Sequence, residues 1–203
     1  QLAEGHGDRR IAAEALRELG CVDALVGRRP TAAHYLGRGI AHADTDPDLL
    51  AGLHAVNAFN IGDWGRTEAA VADYQHALEL ARTAGNTRRQ AWTLALGGWL
   101  LARTGDDTQA LVWLSECMQQ VEQLRWLAFR PWPLSIIAEI DLQRSNHVSL
   151  DQLEQNFATS CHLADPCWEG MTARNLATAH AARPDLDRAL DWIATARTRC
   201  TRD

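Results

Sequence analysis

The sequence predicts an all-α chain of about five stacked helical hairpins, and three observations carry that prediction. Apolar residues recur at three- and four-residue spacing in nearly every window, with Ala and Leu abundant and β-branched runs absent. Helix breakers interrupt this pattern at Gly27-Arg28-Arg29-Pro30, Gly62-Asp63, Gly105-Asp106, Ser145-Asn146 and Arg183-Pro184-Asp185. Those breaks lie 35, 43, 40 and 39 residues apart. A near-constant interval of about 40 residues is what stacked hairpins produce, because no hairpin buries its apolar face alone.

A second set of breaks falls between the first: Asp44-Thr45-Asp46-Pro47, Gly85-Asn86, Arg130-Pro131-Trp132-Pro133 and Asp165-Pro166. Gly and Asn supply the positive φ that ends a helix, and Asp or Thr before an apolar run supplies the next cap. Together the two sets delimit ten helices, over roughly 8–26, 31–43, 47–61, 66–84, 87–104, 107–124, 131–144, 149–164, 166–182 and 185–200.

The hairpins share a register. In the third, Leu94, Gly97-Gly98 and Leu101 lie on the first helix, Gly105-Asp106 makes the turn, and Ala110, Leu114 and Cys117 follow on the second. The first gives Leu16, Leu19-Gly20, Gly27, Ala32, Leu36 and Gly39; the fifth gives Leu176-Ala177, Pro184-Asp185, Ala189, Ile193 and Ala196. The second carries Gly62-Asp63, then Ala70, Tyr74 and Ala77, and the fourth has a longer turn around Ser145–Ser149. Small residues sit where two helix axes cross closely, and large ones fill the gap beside them. This pattern resembles the tetratricopeptide repeat (TPR), with a period longer than its usual 34 residues. Stretches such as Ala77-Leu78-Glu79-Leu80-Ala81-Arg82-Thr83-Ala84-Gly85 resemble the repeat regions of large bacterial signal-transduction ATPases, the maltose-regulator-like and LuxR-type transcription activators. The resemblance implies a right-handed superhelix (an α-solenoid) of about five TPR-like hairpins spanning 1–203 as one domain, cut from a larger multidomain protein.

Composition narrows the function. The 203 residues carry 20 basic and 26 acidic side chains, a net charge of −6, so a sequence-independent grip on nucleic-acid phosphates is not expected from this segment. No apolar run approaches the ~18–20 residues that cross a bilayer. Gln1-Leu2-Ala3-Glu4 lacks the basic and apolar regions of a secretory signal, and the five Cys lack metal-type spacing. A cytoplasmic protein with reduced thiols is therefore expected. Catalytic signatures (a phosphate-binding Gly loop, a Gly-x-Ser-x-Gly elbow, His-Glu-x-x-His, Cys-x-x-Cys) are missing, so a non-catalytic chain without cofactor or metal is expected. His34 and His42, eight residues apart on one helix, read as surface or groove histidines, and Cys161, His162 and Cys167 around Asp165-Pro166 as ordinary packing residues.

Trp is the unusual residue, with eight against three Phe and two Tyr. The resemblance implies that first helices line a concave groove. It places Trp92 and Trp99 there, seven residues apart on one helical face, with Trp132 and Glu139, Arg174 and Asn175, and Phe59 and Asn60 contributed by the other hairpins. Aromatics with an Arg, a carboxylate and an Asn suit a small effector, a peptide or a sister domain. Trp113 and Trp192 read as inter-repeat filling, and Trp64, Trp126 and Trp168 as packing staples. The expected function is a sensor or interaction module of a LuxR-type regulator; a passive TPR scaffold or homo-oligomerising array is the alternative.

Overall fold

A computed structural model describes residues 8–144 and 148–200. Ten helices and no strand occur among the described residues. They are α1 (Arg9–Leu25), α2 (Arg29–Ala43), α3 (Pro47–Gly62), α4 (Thr67–Thr83), α5 (Thr87–Thr104), α6 (Asp107–Gln123), α7 (Pro131–Gln143), α8 (Leu150–Leu163), α9 (Pro166–Ala181) and α10 (Leu186–Cys200). All ten expected helices are present, with ends displaced by at most two residues. The break expected at Ser145-Asn146 lies outside the described residues, as does the chain start at Gln1–Glu4.

Side-chain caps explain most helix starts. Asp8 accepts from the Ile11 amide, Asp46 from Asp48 and Leu49, Asn86 from Arg89, Ser149 from Gln152, and Asp165 from Cys167 and Trp168. Each fills an amide that the first turn leaves without an intrahelical partner. Pro47 and Pro166 follow their caps at positions where a missing N–H costs nothing. At the other end of α5, Gly105 takes φ +88°, the left-handed conformation that closes a helix without a Cβ penalty. Helix α2 starts at Arg29, two residues earlier than expected, with Pro30 tolerated in its first turn.

The chain divides into two compact units, Gln1–Gln120 and Val121–Asp203. In the first, α1 packs on α2, α2 on α3, α3 on α4 and α4 on α5, while α1 also touches α3 and α3 touches α5. Close crossings hold these contacts. A Cβ on Gly20 would come 2.6 Å from Leu36 Cγ, one on Gly39 2.5 Å from Leu53 Cδ2, and one on Gly98 2.8 Å from Leu114 Cγ. At Gly97 the Trp113 ring already occupies the space a Cβ would need. Leu36 joins Ala13, Ala43, Leu49, Leu53 and Val56 in one buried cluster, with Trp92 against its edge. The register residues Ala32, Leu36 and Gly39, Ala70, Tyr74 and Ala77, and Ala110, Leu114 and Cys117 are all buried. Burial pushes the Cys117 thiol up to about 12, so it behaves as a small apolar group.

In the second unit, α7 packs on α8, α8 on α9 and α9 on α10, and α7 also touches α9. Ala138, Val148, Leu153, Leu176 and Ala179 form its apolar centre, flanked by Phe157 and Trp192, whose rings meet edge to face at 5.0 Å. Buried polar ties fix the helices. Asn156 donates to the Pro131 carbonyl at 3.2 Å, and Asn175 donates to the Ser135 carbonyl and hydroxyl at 2.8 and 2.9 Å. Leaving such groups without partners would cost about 1–3 kcal/mol each.

Two stability predictions follow from these contacts. Gly97→Ala drives a methyl into the Trp113 ring and is expected to destabilise by about 1–3 kcal/mol. Gly37→Ala, mid-helix with nothing within 4 Å of the new methyl, is expected to stabilise by about 0.5–1 kcal/mol. Urea melts that rank the two the other way would refute the crossing geometry. Asp48, in the first turn of α3, accepts from Arg89 Nε and Asn86 Nδ2, both at 2.8 Å, and the Arg89 hydrogen bond holds its carboxyl below the usual carboxylate range. A carboxyl depressed in the folded state stabilises above its unfolded pKa, and that contribution fades as pH falls through the folded value. Thermal melts of Asp48→Asn are accordingly expected to trail the parent at neutral pH and to converge with it in acid.

Candidate ligand-binding surface

Helix α5 owes its open face to the spacing of Trp92, Leu96, Trp99 and Arg103, which fall three or four residues apart and so line one side. Leu96 is buried, whereas Trp92 and Trp99 are half-buried and Arg103 is exposed. Phe59 of α3 lies alongside: its ring stacks with Trp99 at 6.1 Å between centroids and 21° between planes. The Arg103 guanidinium carbon sits 4.7 Å from the Trp99 centroid, and that of Arg29 sits 5.8 Å from the Phe59 centroid. Both distances are within cation–π range.

Asp63 joins the two arginines. Its Oδ2 accepts from Arg29 Nη2 at 2.7 Å and its Oδ1 from Arg103 Nη1 at 3.0 Å. The result is a row of Arg29, Phe59, Trp99 and Arg103 with one carboxylate serving two cations, which leaves a net positive charge on an aromatic surface. Half of the Arg103 side chain is exposed to solvent, while its Nη1 is held by Asp63.

The other expected groove residues are placed differently. Asn60 is fully buried and its amide donates to the Arg29 carbonyl at 3.1 Å, tying α3 to the start of α2. Asn175, also buried, is committed to Ser135. Trp132, expected in the groove, is enclosed by other aromatic rings. It is buried, stacked on Trp168 at 5.5 Å and 16°, and met edge-on by Phe129, which itself stacks with Trp126 at 4.2 Å. Glu139 and Arg174 do meet, in a 2.8 Å ion pair whose side chains are each partly exposed. Trp64, expected as a staple, is half exposed in the turn after α3.

A polar cluster absent from the sequence expectations joins α3 to α4. Asp73 accepts from Asn57 Nδ2 at 2.7 Å and lies 2.6 Å from His54 Nδ1, and the His54 and His76 rings meet edge to face at 4.8 Å. Among the described residues no group of three or more His, Cys, Asp or Glu side chains is disposed to hold a metal ion, and no helix is long and apolar enough to cross a membrane.

Sequence reasoning missed Arg29, Asp63 and Arg103. A signal was available: Phe59 and Asp63, and Trp99 and Arg103, are each four residues apart, and the two pairs are offset by 40 residues, the repeat interval. Asp63→Ala frees both arginines and is expected to cost about 1–3 kcal/mol, read by urea denaturation; a loss no larger than that of Arg103→Ala alone would show that Arg29 does not depend on it. No protein-family model matches this chain, and no curated protein matches it at a significant level.

Proposed function

We infer that the chain is a non-catalytic binding module, a TPR-like α-solenoid of about five hairpins of the kind found in large LuxR-type bacterial regulators. Support for the solenoid reading comes from the sequential packing of helices within each unit and from the shared burial of the register residues on α2, α4 and α6. The regulator reading rests on the sequence resemblance.

The observation that carries the binding reading is the Phe59–Trp99 stack flanked by Arg29 and Arg103. Stacked rings offer apolar area that is already rigid, so a ligand loses little side-chain entropy in meeting them. Arg103 holds a carboxylate through its planar fork. The ligand class is therefore a peptide or sister-domain segment that places an apolar side chain next to a carboxylate. In a regulator, such a ligand acts by binding one of two parental states more tightly than the other.

The test is calorimetric titration of the folded chain with a library of short peptides carrying free C-terminal carboxylates, set against the same peptides amidated. Binding that weakens about tenfold in Trp99→Ala or Arg103→Ala, roughly 1.4 kcal/mol, and on amidation, is the expected result. Affinity indifferent to both residues would remove the surface from the function.

A further inference from the structure

Helices α7 and α8 pack on one another, and between them lies a cavity of about 260 Å³. Leu134 and Ile137, three residues apart on α7, share its apolar wall with Leu153 of α8. Its polar members are spread along the helices. Asn156 of α8 donates from Nδ2 to the Pro131 carbonyl at 3.2 Å, which sets it beside Arg130 at the start of α7. Asp141, eleven residues beyond Arg130, stands about 16 Å further along the axis at ~1.5 Å per residue.

The two polar groups at the α7 start both have capacity that the fold does not use. Asn156 is only 6% exposed, and its Oδ1 accepts a hydrogen bond from none of the described residues. A buried acceptor without a donor is costly, and a partner that supplies one recovers that cost. Arg130 commits its Nε to Glu122 at 2.7 Å, while its two Nη groups donate to none of the described residues. An acceptor and a cationic donor therefore meet at one end of an apolar cavity. A carboxylate would accept from Arg130 but has no hydrogen to give Asn156, and an ammonium would serve Asn156 but is repelled by Arg130. A neutral amide does both, because its N–H donates and its carbonyl accepts.

We propose that the α7–α8 cavity is a binding site for a small neutral amide with an apolar body. The amide N–H donates to Asn156 Oδ1, its carbonyl accepts from Arg130, and the apolar body lies against Leu134, Ile137 and Leu153. The volume is below the ~300–1,000 Å³ of drug-sized sites, so the occupant is a small molecule and not a folded segment. The site lies wholly within the second unit and uses no residue of the α5 surface, so it stands or falls apart from the reading proposed for that surface.

Titration of the 203-residue chain with hexanamide, followed by the backbone amide resonances, tests this. Saturable shifts are expected at Leu134, Ile137 and Leu153, with an affinity in the millimolar range usual for so small a molecule. Methyl hexanoate keeps the carbonyl and loses the donor; hexanoate brings a charge and no donor. Each is expected to bind about tenfold more weakly than the amide. Ile137, partly buried in the cavity wall, gives the blocking variant: Ile137→Trp fills the space and is expected to abolish the shifts. Arg130→Leu is expected to weaken hexanamide about tenfold. The ligand series on the parent chain needs no variant to fold. Absence of saturable shifts on α7 and α8, an ester or carboxylate that binds as tightly as the amide, or affinity unchanged in a folded Ile137→Trp would overturn the proposal.

Discussion

Close approach of helix axes is the constraint on which the rest of this structure depends. Leu36 reaches α1 because Gly20 has no side chain, Leu53 reaches α2 because of Gly39, and Leu114 and Trp113 reach α5 because of Gly98 and Gly97. A helix interior containing Gly gives up about 0.5–1 kcal/mol relative to Ala. The buried Leu or Trp side chain that the gap admits contributes more, roughly 1.5–3 kcal/mol on full burial. Remove the gap and the large residue moves outward, and with it the helix that carries it.

Polar ties then set the alignment that apolar contact leaves loose. Dispersion between Leu and Ala side chains tolerates sliding, whereas the Asn60 amide on the Arg29 carbonyl, or Asn175 on Ser135, is satisfied in one position only. Alignment of α3 on α2 brings Arg29 to Asp63, and alignment of α5 on α3 brings Arg103 to the same carboxylate and Trp99 to Phe59. The aromatic surface is thus a product of how the first unit is keyed together.

Much of this was legible in the sequence, and the parts that were not share a cause. Helix limits could be read because caps such as Asp46-Pro47 and stops such as Gly105 act on their own few residues. The burial of Leu36, Tyr74 and Leu114 could be read because their register repeats. Misreadings arose where a side chain's fate is decided by something distant. Trp132 is expected in the groove from the hairpin register, but Trp168 and Phe129 enclose it. Asn60 and Asn175 looked available, but backbone carbonyls on other helices claim them. Nothing local to Asp63 announces that it joins arginines 34 residues before it and 40 after it.

The crossing glycines also govern how freely such a chain can drift. Each crossing demands one small residue and one bulky neighbour at a fixed separation, and most other positions on the helix need only be polar outward and apolar inward. Two proteins assembled by this rule can therefore retain the same architecture after nearly all their letters have changed. Ancestry would then be recorded in the spacing of a few missing side chains and hardly at all in overall identity.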